Sequence, residues 1–236
     1  MQQLFYGAPG TGKTSLSFAL AGYLDLNIYC VSLAEQSLTD EDLYDLFDQL
    51  PEQCVVLLED IDSAGLKKRD DRAVLAMDNQ DNSESMEQLG FKHEPTQHPG
   101  TTRVSLSGLL NVIDGVASHE GRILIMTTND VTSLDQALLR PGRVDIKINF
   151  GMATKALAYS LFIQTFMDYA GRTIDETTKI PPMLAANAER FADQIPDDRF
   201  SPAEVQGYLL TWKNDLPEDA VANVREWVYG SGNASE

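Results

Sequence analysis

Six residues into the chain runs Gly7-Ala8-Pro9-Gly10-Thr11-Gly12-Lys13-Thr14, a glycine-rich loop whose chemistry requires a strand before it and a helix after it. Both are legible. Leu4-Phe5-Tyr6 reads as the end of a strand, and Lys13 to Leu24 as a helix with Leu16, Leu20 and Leu24 along one side. The glycines let main-chain N–H groups turn inward around phosphate oxygens. Lys13 adds a point charge for β- and γ-phosphates, and the Thr14 hydroxyl suits magnesium. The candidate nucleotide-binding residues are Gly7, Ala8, Pro9, Gly10, Thr11, Gly12, Lys13, Thr14 and Ser15. This is a Walker A loop, and the chain binds a nucleoside triphosphate or descends from chains that did.

Beyond the loop, strand-like and helix-like runs alternate up to residue 150, which predicts a parallel sheet flanked by helices. Asn27 to Ser32 and Val55 to Leu58 read as strands, the second apolar enough to be buried on both faces. Thr39 to Leu50 reads as a helix with Asp40, Glu41 and Asp42 in its first turn, where the helix dipole favours acids. Ser105 to Val116 carries a helical stripe, Arg122 to Thr127 and Asp145 to Phe150 read as strands, and Ser133 to Gln136 resembles a capping box opening a short helix. Between them, residues 65–103 are polar and are expected to form a surface insertion. After Gly151 the strand signals stop. Thr154–Met167, Ala185–Ile195, Ser201–Lys213 and Pro217–Val228 read as helices, and Ser201-Pro202-Ala203-Glu204 is a strong helix start. The expected division is an α/β nucleotide-binding part over 1–150 and a helical lid over 151–236, with a frayed C-terminal end.

Composition closes off some partners. The formal charge is −18, which disfavours a duplex nucleic acid, because such binding rests on neutralising phosphates with Lys and Arg. No run approaches the roughly 18 apolar residues of a membrane span, and no signal peptide is visible, so the chain reads as soluble. Cys30 and Cys54 sit in strand-like runs and are expected to be buried structural thiols. His93, His98 and His119 lack metal-ligand spacing.

Hydrolysis of a bound triphosphate needs a carboxylate supporting magnesium, a group that orients water, and positive charge for the developing γ-phosphate charge. The strand ending at Leu58 is followed by Glu59-Asp60-Ile61-Asp62. This is a Walker B arrangement with its acids in reversed order. Glu59 is assigned to the magnesium shell through water, and Asp60 to polarising the nucleophile. Asp62 is read as capping the next segment. Asn129, at the tip of the strand Ile123 to Thr128, can hold the water and touch the γ-phosphate. Arg140 and Arg143 flank a Pro-Gly turn, and the planar fork of arginine pairs with phosphate oxygens in two places.

Together the loop, the acid pair, Thr127-Thr128-Asn129 and the stretch Leu134 to Asp145 resemble an AAA ATPase module. Leu57 to Asp62, Leu106 to Asn111 with Asp114-Gly115-Val116, and Ser201 to Gly207 are similar to the Bcs-type subfamily, where the reversed acids are ordinary. That subfamily includes the mitochondrial inner-membrane chaperone that translocates the Rieske iron–sulfur protein. The resemblance implies an ATP- and Mg2+-dependent hydrolase working as a hexameric or heptameric homo-oligomeric ring on a protein client. It makes Arg140 and Arg143 arginine fingers on the neighbour's ATP, Asn129 a sensor, and the Ser201 helix part of the lid. It also implies mitochondrial placement, and a membrane anchor and family-specific domain ahead of the ATPase. Since the chain starts almost at the loop, it is expected to be a truncated or diverged member. Three other readings share the loop. One is a nucleotide-binding regulatory module with little turnover. Another is a small-molecule kinase, which leaves the arginine corner and the Ser201 helix without a use. The third, a clamp-loader-like role on nucleic acid, conflicts with the charge.

Overall fold

The computed structural model describes residues 1–33, 38–63, 104–117, 121–168 and 179–230. The expected 65–103 insertion, the three histidines and residues 231–236 lie outside them. In chain order the elements are β1 (Gln2–Tyr6), α1 (Lys13–Tyr23), β2 (Ile28–Ser32), α2 (Asp40–Asp48), β3 (Cys54–Glu59), α3 (Leu106–Ala117), β4 (Arg122–Thr128), a 3-10 turn at Val131–Ser133 and β5 (Ile146–Asn149). They continue as α4 (Lys155–Asp168), α5 (Pro182–Ala192), α6 (Pro202–Thr211) and α7 (Pro217–Gly230). The chain divides into two compact units. One comprises Met1–Phe5 and Ser17–Ile148; the other comprises Tyr6–Leu16 and Asn149–Glu236.

The first unit is organised by a five-stranded sheet in the order β2-β3-β4-β1-β5, with β2, β3 and β4 paired in parallel. Register sets Ser32 opposite Glu59 and Leu58 opposite Met126, so the sheet ends step outward toward the acid pair. Strands in a sheet covered on both faces must be apolar on both. Accordingly Leu4, Val56, Leu58, Leu124 and Met126 pack into one core with Leu43 and Phe47 of α2 and Leu109 and Ile113 of α3, while the alternating Phe5, Val55, Leu57 and Ile125 are fully buried as well. The α2 helix starts on a capping box: the Thr39 hydroxyl accepts from the Asp42 N–H at 3.1 Å, and the Asp42 carboxylate accepts from the Thr39 N–H at 3.0 Å. Its other end is held by buried Arg122, whose guanidinium donates to the carbonyls of Pro51 (3.0 Å), Phe47 (3.3 Å) and Leu50. A cation at the negative pole of a helix is favourable, and here it also satisfies carbonyls the helix leaves over.

Three local expectations change. Leu16 and Leu24 are 36% and 45% exposed, and the buried face of α1 is instead Lys13, Ser17 and Ala21, spaced by four. Ser17 and Ala21 are small enough to let the helix approach its neighbours closely, and Lys13 is drawn in by loop carbonyls, so apolar periodicity does not mark this face. Cys54 is buried but Cys30 is exposed, because β2 is the edge strand of the sheet. The short helix expected from Ser133 is replaced by the 3-10 turn before it. Asp130 takes the capping role, accepting from the Thr132 N–H (2.8 Å) and hydroxyl (2.6 Å).

The second unit has its own core, formed by Ala153, Phe162, Phe166, Phe191, Phe200, Val205, Leu209 and Val224 among others. Its aromatics form a chain: Phe162 lies 5.2 Å from Phe191, which stacks on Tyr208 at 6.0 Å, and Trp227 lies 4.4 Å from Phe200. The Tyr208 hydroxyl donates to the Ala220 carbonyl at 2.7 Å inside this core, and burial pushes its pKa to about 12. The α6 start was legible residue by residue. Ser201 caps the helix, Pro202 opens it, and the Glu204 carboxylate accepts from the Ser201 N–H at 2.7 Å.

Candidate nucleotide-hydrolysis site

The phosphate loop is a main-chain object. β1 ends at Tyr6, whose carbonyl accepts from the Phe150 N–H at 2.8 Å, and the chain then turns through Gly7 at φ 145°. A Cβ on Gly7 would sit 2.1 Å from the Phe150 carbonyl oxygen, so only glycine passes there. Gly12, at φ 100°, has nothing within 4 Å of where a Cβ would be. Open space beside a glycine at the mouth of a helix is what a phosphate group needs. Inside the loop the Thr11 hydroxyl donates to the Ala8 carbonyl at 2.7 Å, and Lys13 Nζ donates to the carbonyls of Gly7 (2.7 Å) and Ala8 (2.9 Å). Lys13 is only 7% exposed, so its ammonium is committed to the loop rather than to solvent. The helical ladder begins with the Leu16 N–H on the Gly12 carbonyl at 2.9 Å, which leaves the amide pole of α1 at Lys13, Thr14 and Ser15. This donor set fits a polyphosphate.

The same unit holds the start of α6 against the loop. The Ala203 N–H donates to the Gly10 carbonyl at 3.0 Å. A Cβ on Gly10 would lie 3.0 Å from Ser201 Oγ and 3.1 Å from Ala203 Cβ. The Ser-Pro-Ala-Glu motif is therefore both a helix start and a surface fitted to the loop.

In the other unit the ends of β3 and β4 are laced together by side chains. Asp60 has a left-handed backbone, φ 48°, which aspartate tolerates better than glutamate does. That conformation supplies a physical reason for the reversed acids: the residue after the strand must turn left, and the shorter side chain does so more readily. The Asp60 N–H donates to Thr127 Oγ1 at 3.0 Å, and the Ile61 N–H to the Thr127 carbonyl at 3.0 Å. Asn129 Nδ2 donates to Asp60 Oδ1 at 3.2 Å, so two of the sequence-derived site residues touch. Glu59 is the half-buried last residue of β3. Asp62, taken from sequence only as a cap, accepts from the Thr128 hydroxyl (2.9 Å) and the Asn129 N–H (3.2 Å). Its spacing of two from Asp60 was the available signal.

The two arginines are not equivalent. Arg140 is exposed, and its guanidinium makes no ion pair among the described residues. Arg143 is held in a fork: Nε and Nη2 donate to the two carboxylate oxygens of Asp114 at 2.8 and 2.7 Å, and Nη1 donates to the Ala137 carbonyl at 2.9 Å. The Arg143 hydrogen bonds hold the Asp114 carboxyl below the usual carboxylate range, and in return the arginine pKa is raised. Among the described residues no group of three or more His, Cys, Asp or Glu could hold a metal ion by itself. Magnesium suits that economy, since it takes one or two protein ligands and completes its shell with waters and nucleotide phosphates. No helix of the described residues is long and apolar enough to cross a membrane.

Residues 3–152 match the family model of the ATPase family associated with various cellular activities (AAA), and residues 164–226 match that of the mitochondrial chaperone BCS1-like ATPase lid domain. The chain is 42% identical over 222 residues to the mitochondrial chaperone BCS1 of Homo sapiens, covering 93% of this chain and 45% of that protein. It is 40% identical over 222 residues to the Bos taurus protein of the same name (93% and 45%), and 36% identical over 225 residues to that of Danio rerio (94% and 46%). The chain thus spans about half the length of these relatives.

Proposed function

This chain belongs to the AAA family of ATPases and carries a BCS1-like lid, and on that premise we propose that it hydrolyses ATP in a homo-oligomeric ring of six or seven subunits, coupling turnover to the remodelling or translocation of a protein client. The names of its relatives support mitochondrial placement. An inner-membrane address extends the family resemblance further.

The chemistry is set by the residues. Phosphoryl transfer to water passes through a loose transition state, so positioning and charge do most of the work. Loop N–H groups from Gly10 to Ser15 bind the phosphates, and Lys13 exchanges its carbonyl partners for β- and γ-phosphate oxygens. Thr14 would ligate magnesium directly and Glu59 through water; the ion would supply positive charge against the triphosphate. Asp60 accepts a hydrogen bond from the attacking water and takes up its proton. Asn129, in contact with Asp60 at 3.2 Å, orients that water against the γ-phosphate. Arg140, and Arg143 on exchanging its Asp114 fork for phosphate oxygens, act on the nucleotide of the adjoining subunit, where they stabilise charge that develops in the transition state.

The Asp60–Asn129 contact carries hydrolysis over mere binding, because a regulatory nucleotide site has no use for a water-polarising acid bonded to an amide. The test is steady-state ATP hydrolysis over a wide range of protein concentration, with Arg143→Ala alongside. Specific activity should rise with concentration and fall about 10³-fold in the variant, at unchanged ATP affinity. ATP binding without turnover at every concentration would replace this reading with the regulatory one.

A further inference from the structure

Asp62 has no part in the scheme above, yet it makes two long-range hydrogen bonds in the middle of the catalytic edge. After Asp60 turns left, Ile61 is driven into the core at 1% exposure, and this returns Asp62 toward the end of β4. One oxygen, Oδ1, then receives both the Thr128 hydroxyl (2.9 Å) and the Asn129 N–H (3.2 Å). Thr128 is fully buried, and its oxygen also accepts from the Asp130 N–H at 3.1 Å. The hydroxyl is therefore fixed as a donor to Asp62. Two consecutive residues of the strand tip are pinned to one carboxylate oxygen, and the second of them is Asn129, whose side-chain nitrogen reaches Asp60 Oδ1.

We infer that Asp62 is a positioning residue that sets the main chain at Thr128–Asn129 so that the Asn129 amide is aimed at Asp60. It acts through geometry, as an acceptor, and its negative charge is not required. Both donors use a single oxygen, so the carbonyl of an asparagine side chain satisfies them equally, whereas a ligand of magnesium or a second base would need the carboxylate. The effect on turnover rests on the hydrolytic reading; the effect on Asn129 does not.

The test compares the whole chain with Asp62→Asn and Asp62→Ala in two measurements. In ATPase assays Asp62→Ala should lose about 10- to 100-fold in kcat, as expected for a catalytic group displaced by a fraction of an ångström, with nucleotide affinity unchanged. Asp62→Asn should recover most of that loss. In 15N-resolved NMR without nucleotide, the Asn129 side-chain amide resonance should shift in Asp62→Ala and return in Asp62→Asn. If Asp62→Ala does not fold, Thr128→Val removes the same donor at nearly constant volume and is read in the same two ways. An Asp62→Asn protein as slow as the alanine variant overturns the inference in favour of a charge or metal role. An Asn129 resonance indifferent to Asp62→Ala overturns it outright. A wild-type chain without turnover would instead remove the hydrolytic reading and leave the NMR comparison to decide this one.

Discussion

The phosphate loop and the acid edge are built on opposite principles. The loop is shaped by main chain. Gly7 passes the Phe150 carbonyl where a Cβ would come within 2.1 Å, and Lys13 is held by carbonyl oxygens. The acid edge is shaped by side chains: Thr127, Asp62, Asn129 and Asp60 hold one another through hydroxyl, carboxylate and amide. A site made of main chain admits almost no substitution where the backbone is unusual. A site made of side chains can exchange groups that keep the hydrogen bonds, except where the main chain is also unusual, as at left-handed Asp60.

That contrast can be broken at each end. The largest effect is expected from Asp60→Asn, which keeps the left-handed turn and the fold but removes the proton acceptor. Turnover should drop about 10²- to 10⁴-fold with ATP still bound, read by single-turnover phosphate release. Normal release from that variant would erase the chemical difference between the two regions. Next in size is Gly7→Ala, expected to destabilise the chain by about 3 kcal/mol in denaturant unfolding, through steric overlap added to an unfavourable φ. Gly12→Ala, strained in φ but facing open space, should lose only about 1–2 kcal/mol, and equal losses at the two glycines would show that φ alone governs the loop.

The smallest effect is electrostatic. Since the Asp114 pKa is lowered by its bonds to Arg143, the stabilisation from this pair is complete above the ordinary carboxylate value of about 4 and is lost as pH falls through the lowered pKa. A carbonyl-detected NMR titration should place the Asp114 midpoint below that of an unpaired aspartate, and Arg143→Ala should return it to the ordinary value. An unshifted midpoint in the intact chain would mean that the fork holds the arginine without holding the acid.

Much of this was written in the chain. The loop is announced by glycine spacing, β3 by an unbroken apolar run, and α6 by Ser201, Pro202 and Glu204 in sequence. Each is a local signal for a local structure. What escaped was decided by distant partners. The inward face of α1 is Lys13, held by loop carbonyls, followed by the small Ser17 and Ala21, and apolar periodicity cannot report it. Exposure of Cys30 depends on β2 lying at the sheet edge, which only strand order decides. The work of Asp62 depends on Thr128 and Asn129, 66 and 67 residues further along, and no spacing rule reaches that far.

The fit between Gly10 and the start of α6 bears on how such proteins can be dissected and recombined. The loop segment Tyr6–Leu16 packs with residues from 149 onward, through Phe150, Ser201 and Ala203. A cut near residue 150, which the order of the elements invites, would strip the loop of the surfaces that shape it and strand a Walker motif on half a fold. In chimaeras between relatives the loop and the C-terminal helices form one inheritance block. A lid grafted from another member must offer Gly10 the same close counterface that Ser201 and Ala203 form here.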